Sequence, residues 1–213
     1  VVCKTTDFHL RTNRYNSPEL FLNLFCHGPI EKGRDASAKS LDYYTIGIDA
    51  SGIAVAADSF AALDQRVIRE QRLTWQGVAG ALRSNYAGPE GAMIRAFLLT
   101  APKYGQRESL GQQWAVKISR LFTHLTVNGV SEEGIQFIPG LFSWSRTIAY
   151  GKQVGATPDG RLAFAPINHG ANPMPGSVKN GELTTLSEAI AAVQCGRGNT
   201  APFQLELDPG ITA

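Results

Sequence analysis

The 213-residue sequence lacks an excess of charge of either sign and lacks a long apolar run. Its 20 basic and 18 acidic residues leave a net charge of +2, which excludes the strongly basic surface of a protein that wraps nucleic acid or binds an anionic membrane. No run reaches the roughly 18 apolar residues of a membrane-spanning helix. The sequence therefore predicts a globular protein that acts on neither nucleic acid nor membranes.

Cysteine is scarce, and the first residues show no targeting pattern. Cys3, Cys26 and Cys195 lie far apart and are odd in number, so they fit neither a disulfide framework nor a zinc site of paired cysteines. Residues 1–6 do not place a charged region before an apolar one, so we expect no signal peptide. These absences predict a reducing, cytoplasmic location.

Apolar residues at helical spacing fill the middle of the chain. Hydrophobic residues make up 43% of the sequence, which is enough to form a buried core. Asp58 and Ser59 are predicted to cap a helix, and further amphipathic helices are predicted through residues 75–82, 94–98 and 114–125.

The first part of the chain carries weaker patterns. Residues 1–15 are polar and show no clear period. Ser17 and Pro18 predict the start of a helix, which the glycine–proline pair at 28–29 interrupts. Residues 43–57 hold branched apolar side chains broken by glycines, which indicates a buried strand or an apolar loop.

Glycine and proline become frequent over residues 134–181, which predicts a series of turns and long loops. The sequence at 185–188 matches a capping box and predicts a helix over 186–194. Polar and apolar residues alternate over 203–207, which predicts a half-buried strand.

Local patterns typical of catalysis are weak. Residues 195–201 contain the GxGxxA spacing of a dinucleotide-binding turn, but a helix precedes them and Pro202 introduces a strand, which is the reverse of the order that this turn needs. Cys26 and His27 are adjacent, and neighbours on a helix do not face each other, which favours a half-buried thiol beside a surface histidine. Residues 140–144 do not match the GxSxG of a nucleophile elbow.

The sequence at 157–161 predicts a rigid turn. Pro158 at the second position and Gly160 at the fourth are typical of a type I turn, in which Asp159 accepts local backbone hydrogen bonds. Arg161 stands at the exit of this turn. Local chemistry alone indicates a structural role for the segment.

Six segments, in the same order along the chain, resemble those of the glycyl radical enzymes, the family of pyruvate formate-lyase and glycerol dehydratase. The most specific are FIPGLFSW at 137–144 and GATPDGR at 155–161, and the others lie at 30–35, 57–62, 102–105 and 170–176. The collinear order extends the resemblance over nearly the whole chain.

The resemblance implies an α/β fold in which residues 1–213 form a single segment of a partial ten-stranded barrel, helix-rich with long Gly/Pro loops. Residues 1–129 would be mainly helical, and residues 130–213 loop-rich with a late helix and strand. The resemblance implies no catalytic residue and no metal ligand in this segment. It implies instead that loops of the chain shape a substrate pocket, with four candidate residues: Asp159, Arg161, Arg197 and Asn199.

Two parts of the family's chemistry have no counterpart in the sequence. The family passes a hydrogen atom between a glycyl radical and a cysteine thiol, which then abstracts hydrogen from the substrate. That cysteine lies in an upstream loop and that glycine in an RVxGY segment, and neither motif occurs here. Pro29 occupies the position where many members have a cysteine, so Cys26 is not expected to inherit a radical role. Gln106 and Arg107 replace the usual Asn-Asp pair.

The resemblance therefore implies a segment of a glycyl radical lyase or dehydratase, an enzyme that cleaves a C–C or C–O bond of a small metabolite. The segment would be inactive alone and would hold no cofactor. The implied partners are the missing part of the barrel or a second copy of the chain, contacted through residues 53–57 and 203–207, and a radical-SAM activating enzyme for the full-length protein. Two alternatives stay open: a short non-catalytic relative that acts as a binding or scaffolding subunit, and an unrelated enzyme.

Overall fold

The computed structural model describes residues 1–132, 134–178, 183–194, 196 and 200–205. The chain divides into two compact units. The first combines Val1–Ile48 with Thr123–Pro139, and the second combines Asp49–Phe122 with the described part of 140–213.

The first unit contains helix α1 (Val2–Asn16), which the sequence pattern did not predict. Tertiary contacts of polar residues hold this helix in place. Asp7 is buried and accepts a hydrogen bond from the Ser131 hydroxyl. Arg11 forms a 2.7 Å ion pair with Glu132. These anchoring contacts are polar, so the spacing of apolar residues does not reveal the helix in the sequence.

Two short helices follow in the same unit. The helix start predicted at Ser17 and Pro18 is wrong, because Ser17 ends α1 and the next helix, α2 (Leu20–Asn23), begins at Leu20. Helix α2 is a single turn, and the Asn23 side chain bonds Asp35 and the backbone of Ala36 at the next bend. Helix α3 (Pro29–Lys32) ends at Gly33, which has φ +55°.

Strands β1 (Thr45–Ala50) and β2 (Gln136–Leu141) form a two-stranded sheet. The backbone N–H of Gln136 donates to Tyr44, and that of Phe142 donates to Ala50. Partners advance in the same direction along both strands, so the pair is parallel. The strand predicted within residues 43–57 is confirmed at 45–50, but it is not a buried strand, because Ile48 is its single buried residue.

The second unit begins with helix α4 (Ile53–Leu63), which continues into a π-helical segment, Asp64–Arg69. Gly52, with φ +88°, precedes α4, so the predicted cap at Asp58 and Ser59 is wrong. The apolar run that looked like a strand or loop is the buried first half of this helix. Asp58 is consequently an acidic residue inside an apolar helix.

The next three helices confirm the amphipathic pattern. They are α5 (Trp75–Arg83), α6 (Gly88–Leu99) and α7 (Leu110–Val127). One core cluster joins Val67 with Val78 of α5 and with Ile94 and Leu98 of α6. A second cluster joins α4 to Tyr104, Ala115 and the late helix described next.

The late part of the chain forms α8 (Thr147–Gly151) and α9 (Leu183–Ala192). Thr185 is buried inside α9, so the capping box predicted there is wrong. Residues 203–205 form no strand, and 206–207 lie outside the described residues. The Asn172 side chain instead holds the backbone of Gln204 by bonds of 2.6 and 3.0 Å.

The described part of the chain contains one parallel strand pair, so the ten-stranded barrel stays a prediction. None of the described helices combines the length and the apolar character needed to cross a membrane.

Candidate functional site

The second unit contains a cavity of about 850 Å³, which we call the Asp58 cavity. The end of α6, the loop that follows it and the turn at 157–161 provide its walls. Its volume lies within the range of small-molecule pockets. Eight of its lining residues carry polar side chains: Asp58, Arg95, Thr100, Lys103, Gln106, Asp159, Arg161 and Ser177.

Asp58 is only 1% exposed, and its two carboxylate oxygens have different surroundings. Oδ1 accepts a 2.6 Å hydrogen bond from the backbone N–H of Tyr104. Oδ2 is buried and has no hydrogen-bond partner among the described residues. Burial raises the pKa of Asp58 to about 7, although the positive charge of Lys103 acts in the opposite direction.

Tyr104 fixes the segment that carries both Lys103 and the amide bound to Asp58. Its ring is fully buried, and its hydroxyl donates to the carbonyl oxygens of Ala171 at 2.7 Å and Ala189 at 3.3 Å. Burial raises the pKa of Tyr104, so the phenol stays protonated. Gly111 allows the close approach, because a Cβ there would lie 2.3 Å from the backbone of Lys103 and Tyr104.

The predicted turn at 157–161 forms part of the cavity wall. The backbone N–H of Gly160 donates to the carbonyl of Thr157 at 3.0 Å, which confirms the turn. Gly160 has φ +89°, and a Cβ there would come within 2.6 Å of Leu99. Glycine is therefore required at this position both for its backbone conformation and for space.

Asp159 is buried inside this turn. Its Oδ1 accepts hydrogen bonds from the Thr157 hydroxyl at 2.5 Å and from the backbone N–H of Arg161 at 3.2 Å. Burial raises the pKa of Asp159, while these bonds and the positive charge of Lys103 lower it.

Arg161 is buried as well, and its guanidinium holds the surrounding loop together. It donates to the Thr157 hydroxyl and to four backbone carbonyls, those of Val154, Gly155, Leu162 and Ala165. All three guanidinium nitrogens are engaged in this way. Burial lowers the pKa of Arg161 from its ordinary value. The side chain maintains the shape of the cavity wall.

Two other cations flank the same turn on the cavity side. Lys103 Nζ donates to the carbonyl of Asp159 at 2.9 Å, and Arg95 Nε donates to the carbonyl of Gly160 at 2.8 Å. Both side chains are half-buried. The carbonyls of two consecutive residues in the turn, Asp159 and Gly160, therefore each accept a hydrogen bond from a cationic side chain.

The structure brings together two of the residues that the resemblance suggested for a pocket, Asp159 and Arg161. The other two, Arg197 and Asn199, lie outside the described residues, as does Cys195. Cys26 is a half-buried free thiol of the first unit. No metal-binding group of histidine, cysteine or acidic side chains occurs among the residues that were described.

Sequence reasoning missed Asp58 and Lys103 as members of a site. An acidic residue in the middle of an apolar run was the available signal for Asp58, because a buried carboxylate is costly unless the fold uses it. Its assignment as a helix cap concealed that signal.

Comparison with known proteins gives one family and a consistent fold. The family model described as pyruvate formate lyase-like matches residues 1–151. An isethionate sulfite-lyase from Bilophila wadsworthia is 30% identical over 135 residues, which cover 63% of this chain and 16% of the relative. A trans-4-hydroxy-L-proline dehydratase from Clostridioides difficile is 25% identical over 188 residues, which cover 85% of this chain and 24% of the relative.

Solved structures show the same likeness. The glycerol-bound B12-independent glycerol dehydratase from Clostridium butyricum matches 85% of this chain with a TM-score of 0.77 and 25% identity, over 23% of its own length. A structure that describes 1,2-propanediol dehydration in Roseburia inulinivorans matches 88% of this chain with a TM-score of 0.78 and 29% identity, over 24% of its own length. The chain thus spans a quarter or less of the length of these proteins.

Proposed function

The chain belongs to the pyruvate formate lyase-like family, and we propose that it is a segment of a glycyl radical lyase or dehydratase that cleaves a C–C or C–O bond of a small metabolite. The observation that carries this proposal is the fold. A glycerol dehydratase matches 85% of the chain with a TM-score of 0.77. The curated relatives add support, since their names describe lyases and dehydratases.

The substrate we propose is a small hydroxylated metabolite. The names of the relatives specify isethionate, trans-4-hydroxy-L-proline and sulfopropanediol, and the solved structures concern glycerol and 1,2-propanediol. All of these molecules carry a hydroxyl group. A pocket for them needs polar side chains held in fixed positions.

The part assigned to these 213 residues is to shape and hold a pocket wall. The cysteine-loop and RVxGY motifs that carry the radical chemistry are absent from the sequence, and we propose that the full-length protein supplies them. Arg161 and Tyr104 hold the walls through buried hydrogen bonds to backbone carbonyls. The chain itself would hold no cofactor. We also propose a reducing, cytoplasmic location for the protein.

Electron paramagnetic resonance tests this function. The full-length protein, treated anaerobically with a radical-SAM activating enzyme, should show a glycyl radical doublet. The 213-residue chain treated in the same way should show none, because none of its 22 glycines lies in an RVxGY segment. A doublet from the chain alone would contradict the proposal. A full-length polypeptide that lacks both motifs would also contradict it and would favour a non-catalytic binding or scaffolding subunit.

We further propose that a partner covers exposed apolar surface of this chain. The partner is either the rest of the barrel or a second copy of the chain. Leu20, Phe21 and Phe25 around α2 are 70%, 75% and 73% exposed. The rings of Phe21 and Phe25 lie 5.0 Å apart and form one patch. Of the two contact elements expected from the sequence, residues 53–57 were assigned wrongly, because they lie largely buried in α4.

Sedimentation at micromolar concentration tests this partner. We expect the isolated chain to self-associate, and we expect Phe21→Ser together with Phe25→Ser to reduce the association. Tyr43→Ser, at a side chain that is 90% exposed outside the patch, is the control. A well-behaved monomer with a sharp, cooperative melt would refute the need for a partner.

A further inference from the structure

The Asp58 cavity contains a hydrogen-bond acceptor that the fold leaves unused. Asp58 is 99% buried and lines the cavity, and its Oδ2 has no partner in the described part of the chain. An unpaired buried carboxylate oxygen is costly, because it has lost its water without gaining a donor. A donor on a bound molecule would remove that cost.

Two cationic side chains that line the same cavity, Lys103 and Arg95, keep hydrogen-bond donors available. An ammonium has three N–H donors and a guanidinium has five. The described residues take one donor from Lys103 and one from Arg95, both for the carbonyls of the turn at Asp159 and Gly160. The remaining donors suit an anionic group such as a carboxylate, phosphate or sulfonate.

Gln106, Arg161 and Asp159, which also line the cavity, are already committed to the protein. Gln106 accepts from the backbone N–H of Lys103 at 3.3 Å and donates to the carbonyl of Ser177 at 3.1 Å. Arg161 is engaged by the loop carbonyls, and Asp159 accepts from Thr157. Among the charged side chains of the cavity, Asp58, Lys103 and Arg95 therefore keep hydrogen-bonding capacity for a ligand.

Apolar side chains form much of the remaining wall. Leu99, Leu162, Ile167 and Met174 line the cavity. Such a surface favours a carbon skeleton over a bare inorganic ion. A ligand that satisfies all three features has an apolar body, an anionic group and a hydrogen-bond donor.

We propose that the Asp58 cavity binds a small organic anion that carries a hydroxyl group. The anionic group contacts Lys103 and Arg95, and the hydroxyl donates to Oδ2 of Asp58. This binding needs no radical. It therefore stands or falls separately from the proposed lyase or dehydratase function.

Three probes of matched skeleton test the site: 3-hydroxybutyrate, butyrate and 1,3-butanediol. Backbone amide shifts of the ¹⁵N-labelled full-length protein at pH 8, where Asp58 is mainly ionised, report both affinity and location. We expect 3-hydroxybutyrate to bind about tenfold more tightly than either other probe, because only it makes both charge-assisted contacts. The amides of Tyr104 and Gly160 should shift. Equal affinity for 3-hydroxybutyrate and butyrate, or shifts elsewhere only, would overturn the proposal.

Variants assign the contacts to residues. Asp58→Asn keeps an acceptor for the Tyr104 amide and should abolish the preference for 3-hydroxybutyrate over butyrate. Lys103→Met and Arg95→Gln should each weaken the binding of both anions several-fold and leave the affinity for 1,3-butanediol unchanged. Arg107→Gln is the charge-matched control, since Arg107 pairs with Glu188 and does not line the cavity. A folded Asp58→Asn protein that keeps the preference for 3-hydroxybutyrate would contradict the assignment. So would an Arg107→Gln control that weakens the binding of both anions as much as Lys103→Met and Arg95→Gln do.

Discussion

The backbone N–H of Tyr104 donates a 2.6 Å hydrogen bond to Oδ1 of Asp58, across 46 positions of the sequence. This bond joins the middle of α4 to the segment that precedes α7. The same residue lines the Asp58 cavity, and its Oδ2 is buried without a hydrogen-bond partner among the described residues. Oδ1 of Asp58 therefore stabilises the fold through its hydrogen bond, and Oδ2 is left without a protein donor.

Tyr104→Phe tests whether the phenol hydroxyl secures this segment. The substitution removes the donor to the carbonyls of Ala171 and Ala189 and leaves both buried. We expect the free energy of unfolding to fall by about 1–3 kcal/mol. Tyr43→Phe, at a residue that is 90% exposed, is the control and should change stability by less than about 0.5 kcal/mol. Equal, small effects of both substitutions in urea denaturation would show that the hydroxyl is unimportant.

Arg161→Lys tests the role of the guanidinium in the loop. A lysine ammonium cannot reach the carbonyls of Gly155 and Ala165 together, so several buried acceptors would lose their donors. We expect a loss of about 2–4 kcal/mol in unfolding free energy. Arg107→Lys is the control, because both side chains of its pair with Glu188 are more than half exposed. An Arg161→Lys protein as stable as this control would contradict the structural role.

Cys26→Ser tests whether this thiol has any part in catalysis. Cys26 is a half-buried free thiol, and the sequence resemblance implies no radical role for it. We expect the full-length enzyme to keep most of its turnover, with a stability loss of about 1 kcal/mol. Complete loss of turnover in a variant that still folds would show that Cys26 takes part in the chemistry.

The sequence was informative where apolar periodicity matched burial. Helices α5, α6 and α7 were predicted because their apolar residues pack into one side of a core at helical spacing. The turn at 157–161 was predicted because its proline and glycine suit the required backbone angles. Both kinds of signal are local.

Errors arose where distant contacts override the local pattern. Helix α1 is held by the contacts of Asp7 and Arg11 with residues more than 100 positions away, which no local window contains. The alternation at 203–205 did not give a strand, and these residues are held by Asn172. Asp58 was interpreted as a cap because aspartate is common at that position, whereas burial against Tyr104 decides its role.

The pH dependence of stability tests the central role of Asp58 most directly. Burial raises its pKa from 3.8 to about 7, so the folded protein holds a proton that the unfolded chain releases above about pH 4. This proton stabilises the folded state fully below about pH 4, and the stabilisation is lost as the pH rises through 7. The charges of Lys103 and Asp159 act on this site and both residues are present in both proteins, so the comparison is between wild type and Asp58→Asn.

Urea denaturation from pH 4 to 8 should therefore show wild type losing stability relative to Asp58→Asn as the pH rises, by a few kcal/mol at about 1.4 kcal/mol per unit of pKa shift. The two curves should run parallel above about pH 8. Parallel curves over the whole range would contradict the account, because they would mean that the carboxyl of Asp58 titrates at the same pH in the folded and unfolded chains.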